Sequence, residues 1–140
     1  MMKFCSNCNA VFDGHKWGYD KGLYEKIIKK EDVKSGLCPG CERVEKKMVD
    51  GVVLIKGDFL KDHKDEALNL IHNIAEKKRK KNVAARVFKM RETSEGFSIE
   101  TTDQALAELI GKEFERAFSG KLDIQWLEGE SFVRVNWERD

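Results

Sequence analysis

A chain of 140 residues accommodates one full domain or two small ones. With 41% hydrophobic and 36% charged residues and a single proline, it is not a disordered or low-complexity polymer, and its longest apolar run, Val52–Ile55, falls far short of the roughly 20 residues a membrane helix requires. The net charge of +1 excludes a strongly basic DNA-binding domain, but 18 Lys/Arg face 13 Asp/Glu over residues 1–82 against 8 and 12 over residues 83–140, so a polyanion would meet the first half.

The first segment, residues 1–19, reads as a turn carrying Cys5-Ser6-Asn7-Cys8 followed by a short extended stretch. Met1–Phe4 holds no apolar signal core, so the chain is expected in the cytoplasm, where thiols stay reduced and four cysteines favour metal over disulfides. Leu23, Tyr24, Ile27 and Ile28 recur at helical spacing within residues 20–31 and predict a short helix. The second pair, Cys38-Pro39-Gly40-Cys41, follows a spacer of 29 residues. A two-residue spacing lets one tight turn aim both sulfurs at a single ion, so Cys5, Cys8, Cys38 and Cys41 are the expected ligands of one Zn2+ in a zinc ribbon with a helical insert. Asn9 tolerates a left-handed backbone, and Pro39-Gly40 is turn chemistry. A redox pair would open a helix after a strand, whereas nothing ahead of Cys5 offers a strand and Asp32–Leu37 is polar; an iron–sulfur cluster stays open as a lesser alternative. Four thiolates leave no open coordination position, which implies a structural site. His15 is surplus to a complete ligand set, and His63 and His72 lie on opposite faces of one helix.

Gly51–Lys56 predicts a strand introduced by an Asp50-Gly51 turn. Asp58 is the expected N-cap of a helix over 58–80 whose apolar stripe is Ala67, Leu68, Ile71, Ile74 and Ala75. That helix ends in Lys77-Lys78-Arg79-Lys80-Lys81, either a solvated, dipole-complementing terminus or a phosphate-contacting patch. A hairpin follows, from Ala85–Arg91 through Thr93–Gly96 to Phe97–Thr101. Thr101-Thr102-Asp103 supplies N-cap chemistry, with Gln104 able to complete a capping box on Thr101, for a helix that buries Leu106, Leu109, Ile110, Phe114, Ala117 and Phe118 and stops at Gly120. Gly111 within it predicts a close helix–sheet approach. Leu122, Ile124 and Trp126 should point inward from one strand, and Val133, Val135 and Trp137 from the next, with Glu128 and Glu130 as exposed charges at the turn between. The expected fold class is α+β: residues 1–57 form the zinc ribbon, and residues 58–140 a helix plus a two-layer ββαββ domain with a four-stranded antiparallel sheet and both helices on one face.

Several segments carry a family resemblance. Met2–Cys8 and Leu37–Arg43 resemble the N-terminal zinc region of the export adaptor of the large ribosomal subunit. Thr101–Ala107 with Ile110-Gly111, Ala117–Leu122 and Phe132–Trp137 resemble the domain that follows it there, and also a group of short bacterial proteins of unassigned role. The adaptor has more C-x-x-C pairs, and further domains and export signals that this sequence does not show. The resemblance implies a module facing ribosomal RNA or a ribosomal subunit; it does not imply nuclear export.

No nucleophile elbow, zinc-protease, P-loop or dinucleotide motif occurs, so neither an enzyme nor a small-molecule substrate is expected. The leading expectation is a non-enzymatic module that binds ribosomal RNA or a ribonucleoprotein surface. In it Lys77, Lys78, Arg79, Lys80, Lys81 and Lys16 would neutralise phosphates, while Trp17 or Tyr19 would stack on an unpaired base. The alternative is a zinc-dependent protein–protein adaptor without nucleic-acid contact.

Overall fold

Two small sheets organise the molecule, in a computed structural model that describes residues 1–127, Gly129 and 131–140. Glu128 and Glu130, the expected turn charges, lie outside the described residues.

The first sheet is built from very short strands: β1 (Lys3–Cys5), β2 (Val11–Phe12), β3 (Trp17–Gly18) and β4 (Lys34–Gly36), in the order β3-β2-β1-β4. Asn9 takes the expected left-handed conformation (φ 66°) in the turn between β1 and β2. Between β3 and β4 runs α1 (Lys21–Ile27), whose N-cap Asp20 accepts the Leu23 backbone N–H and whose Ile27 is fully buried. β1 leads into Cys5, ahead of which no strand is expected, and β4 lies within the polar stretch Asp32–Leu37. They pair in parallel, Lys3 with Lys34 and Cys5 with Gly36. Neither carries an alternating apolar pattern to advertise it: β1 is Lys3-Phe4-Cys5 and β4 is Lys34-Ser35-Gly36. The second cysteine pair also departs from a two-knuckle ribbon: Cys38 is the N-cap and Pro39 the first residue of α2 (Pro39–Glu45).

The second sheet has five strands, not four, and is mixed rather than antiparallel. β5 (Gly51–Lys56), β6 (Val87–Glu92), β7 (Gly96–Thr101), β8 (Lys121–Leu127) and β9 (Phe132–Glu138) run in the order β6-β7-β5-β9-β8. The segment assigned to the zinc unit is its central strand, antiparallel to β7 and parallel to β9. Val53 faces both Ile99 and Val135, and Ile55 faces Phe97 and Trp137, so the inner face closes only when the two ends of the domain meet. Against that face lie α3 (Phe59–Lys81) and α4 (Gln104–Phe118), which share one core with it: Leu60, Ala67, Ile71 and Ile74 from α3, and Leu106, Ile110 and Phe114 from α4.

Local signals at the helix starts differ from expectation. Asp58 is itself helical (φ −64°, ψ −28°) and caps nothing with its side chain; it pairs with Lys61, and α3 kinks at His63. Asp103, not Thr101, caps α4 by accepting the Leu106 N–H, while the Thr101 hydroxyl donates to the Asp103 carbonyl. Trp137 is buried as expected, but Trp126 is 52% exposed on the edge strand β8, and Ala117 is exposed as well. Gly111 does mark a close approach: a Cβ there would lie 2.4 Å from Val135 Cγ1. Gly111→Ala is therefore expected to destabilise by about 1–2 kcal/mol, overpacking outweighing the roughly 1 kcal/mol gain in helix propensity. A urea midpoint that rose instead would contradict this contact.

Candidate metal centre

The four sulfurs of Cys5, Cys8, Cys38 and Cys41 lie within 4.8 Å of one another and form the single potential metal-binding group of His, Cys, Asp and Glu side chains among the described residues. Cys5 ends β1, Cys8 sits in the following turn, and Cys38 and Cys41 occupy the first turn of α2. The Cys8–Cys38 sulfur separation of 3.6 Å is close to the edge of about 3.8 Å expected of a tetrahedron with bonds near 2.3 Å. Backbone and side-chain donors already point at the sulfurs: Cys38 N–H at Cys5 (3.4 Å), Cys41 N–H at Cys38 (3.4 Å) and the Asn7 amide at Cys41 (3.5 Å). Three of the four cysteines are buried. None of the histidines joins them; His63 stacks on Phe59 and meets Glu66, and His15 is exposed.

A residue that the sequence did not single out completes the site. Arg86 lies between α3 and β6, only 9% exposed. It donates to Cys38 (3.3 Å), Cys8 (3.5 Å) and Cys41 (3.6 Å), to the Val83 carbonyl (2.9 Å) and to the Tyr19 hydroxyl (3.0 Å). Its backbone is fixed from the other side, where its N–H donates to the Thr102 hydroxyl and its carbonyl accepts the Thr102 N–H. Burial disfavours the charged guanidinium, yet its hydrogen bond to Cys8 and the neighbouring Tyr19, Cys41 and Cys38 raise its pKa above the ordinary arginine value.

Gly40 makes room for this approach. A Cβ at residue 40 would lie 1.9 Å from the Val83 carbonyl oxygen and 2.7 Å from Arg86 Nε. The glycine in C-P-G-C thus serves close contact inside a helix turn, and no positive φ is involved.

Tyr19 is the second addition. Its hydroxyl donates to Cys8 (3.2 Å) and accepts from Arg79 Nε (2.6 Å) and Arg86 (3.0 Å), while the Arg79 guanidinium lies 5.2 Å from the centre of its ring. Burial pushes the Cys8 thiol up, but hydrogen bonds from Tyr19, the Ala10 backbone and Arg86 outweigh it and bring it down to about 5. Burial holds Cys38 up at about 12 and keeps Cys41 raised.

The candidate polyanion contacts do not all face solvent. Lys77, Lys80 and Lys81 are exposed and Lys78 half-buried, and none of the four forms an ion pair among the described residues. Arg79 instead turns toward Tyr19 and the metal centre. Lys16 is exposed; Trp17 packs on the cysteine cluster and tilts against Phe12, which leaves it half-buried.

No helix among the described residues is long and apolar enough to cross a membrane. Compared with protein-family models and with curated proteins, the chain gives no match.

Proposed function

We propose that the protein is a non-enzymatic, cytoplasmic zinc module that binds ribosomal RNA or a ribonucleoprotein surface through the basic end of α3. The observation that carries this reading is that Lys77, Lys78, Lys80 and Lys81, free of ion pairs among the described residues, stand on a helix end anchored to the cysteine cluster through Arg79 and Tyr19. Fixed lysines neutralise phosphates at a smaller entropic cost than lysines on a frayed end. The resemblance of the cysteine and α4–β9 segments to the ribosomal export adaptor supports the same partner class.

Zinc fits the donor set: four cysteine sulfurs lie within 4.8 Å of one another, the Cys8–Cys38 pair at 3.6 Å, each accepts a hydrogen bond, and four thiolates would complete a tetrahedral ligand set. Bound there, the ion would tie the β1 turn to the start of α2 and supply no chemistry of its own.

The test is binding to ribosomal RNA fragments over a range of salt. Reversing Lys77, Lys80 and Lys81 to Glu is expected to flatten the dependence of log affinity on log salt by at least about 2, since each lost phosphate contact removes about 0.7–0.9. An unchanged slope would remove the basic helix end from the interface. The alternative reading, a protein–protein adaptor, is favoured by Trp126, which exposes half of a large aromatic side chain on the edge strand β8. Salt-insensitive capture of a protein partner that is lost in Trp126→Ala would select it.

A further inference from the structure

We propose that Arg86, Tyr19 and Arg79 form a latch that couples metal occupancy to the last turn of α3, so that the basic run is held in place only while the metal is bound. The gating half of this rests on the polyanion-binding function proposed above; the coupling half does not.

The argument begins with the charge of Arg86. A buried cation persists only beside a counter-charge, and among the described residues no carboxylate partners this guanidinium. Its acceptors are the Val83 carbonyl, the Tyr19 hydroxyl and three of the four sulfurs. The thiolate cluster is therefore its counter-ion. A divalent metal with four thiolates leaves two surplus negative charges. Arg86 in direct contact and Arg79 through Tyr19 supply two positive ones, so the metal-loaded centre is neutral as a unit.

Tyr19 transmits this to the helix. A phenolic hydroxyl has one proton to give and two lone pairs to accept with, and all three are used: Cys8 receives, Arg79 and Arg86 donate. Moving Cys8 therefore breaks a saturated junction rather than one bond among spares. The cysteines come from two separate segments, the β1 turn and the start of α2, and an ion held by all four sulfurs would add its own link to the β1–β4 pairing and the Cys38 N–H to Cys5 bond that already join them.

On the helix side, the last turn needs an anchor. Lys77 with Lys80 and Lys81, and Lys78 with Lys81, are like charges at spacings of three and four, which loosens a helix. Its final backbone bond is Asn82 N–H to the Lys78 carbonyl, and helix ends fray when left to themselves. Arg79, bound to Tyr19 by hydrogen bond and ring contact, is the side chain of that turn fastened to the first sheet's unit. The segment beyond is held independently, since the Arg86 N–H and the Ala84 carbonyl are both bonded to the Thr102 hydroxyl. Asn82 accepts the Ala84 and Ala85 N–H groups and belongs with the held segment. Loss of metal should thus free residues 79–81, open the Asn82 N–H to Lys78 bond, and leave 84–86 on the sheet.

The experiment is amide hydrogen exchange on the full chain, zinc-loaded and chelated, in wild type and Tyr19→Phe. Chelation is expected to speed exchange at Lys81 and Asn82 at least about tenfold, with Arg86 and Ile99 as unaffected internal references. Metal-loaded Tyr19→Phe should show severalfold faster exchange at the same two amides. Its cobalt-substituted form should keep the thiolate-to-metal absorption of wild type, because all four ligands remain. Arg86→Met is expected to weaken zinc 10–100-fold in competition with a chromophoric chelator; should that variant not fold, Tyr19→Phe still decides. Unchanged exchange at Lys81 and Asn82 in both chelated wild type and loaded Tyr19→Phe would overturn the latch. RNA binding, measured on the same samples, fails separately: no binding by the loaded protein would remove the proposed function while exchange still reports on the latch. Equal affinity and salt slope for loaded and chelated protein would overturn the gating.

Discussion

Cys38→Ser, or removal of the metal by a chelator, is expected to unfold the first sheet and its helices while the five-stranded sheet stays folded. The first unit has only a small core of its own: besides Val11 and Ile27, its buried cluster is Cys5, Ala10, Cys38 and Cys41 closed by Val83 from the second unit, and three of those five are ligands themselves. Strands of two or three residues cannot hold without help. A structural zinc site contributes on the order of 10–16 kcal/mol of apparent binding free energy, which becomes folding free energy when no site exists in the unfolded chain. The second unit, by contrast, buries a contiguous cluster of 16 residues drawn from α3, α4, Ala85 and the strands β5, β7 and β9, with β6 and β8 adding partly buried side chains against it. The check is exchange at the Cys5 and Ser6 amides, bonded to the Ala10 and Gly36 carbonyls, against Val53 and Ile99 in the central sheet. Persisting protection of Cys5 and Ser6 after chelation would show that the metal is not the staple of this unit.

Trp137→Ala is expected to cost about 3–5 kcal/mol, against a total stability of about 5–15 kcal/mol for a domain of this kind. The side chain is 1% exposed, its indole N–H donates to the Ser119 carbonyl at 2.7 Å, and its ring meets Phe59, Phe114 and Phe118. Truncation therefore opens a cavity where both helices and β9 converge and also strands the Ser119 carbonyl at the α4 C-cap. Trp126→Ala is the matched control. The same residue type at 52% exposure should change stability by no more than about 0.5 kcal/mol. Urea unfolding reads both: a large drop in midpoint for Trp137→Ala at an unchanged slope, and little change for Trp126→Ala. Similar midpoints for the two variants would contradict the assignment of inner and outer faces.

Trp126 also illustrates why alternation alone misleads at strand ends. Leu122 and Ile124 pack partly against the core as expected, but Trp126, near the end of an edge strand, is half exposed. A period of two says which side chains share a face, and it says nothing about whether that face is still covered. The capping box failed for a similar reason. Thr101 and Gln104 satisfy the local pattern, but Asp103 offers a carboxylate in the required position, and Thr101 is committed as the last residue of β7.

What the sequence by itself determined is whatever depends on near neighbours along the chain. The four cysteines announced one metal site through their spacing, Asn9 announced its turn, and the stripes of α3 and α4 and the β6–β7 hairpin followed from periodicity and turn residues. Gly111 could be read because a glycine within a helix has few uses other than close approach. The tertiary structure alone decided what depends on partners far along the chain. β5 became the centre of a mixed sheet because β7 and β9 arrive on either side of it, which no pattern within Gly51–Lys56 encodes. Arg86 looked like an ordinary strand charge. Only the fold brings it over Gly40, where the want of a side chain and the presence of thiolates make burying a guanidinium affordable. The ligands were a local property of the chain, whereas the cations that neutralise them come from the other unit and become visible only once the two are packed together.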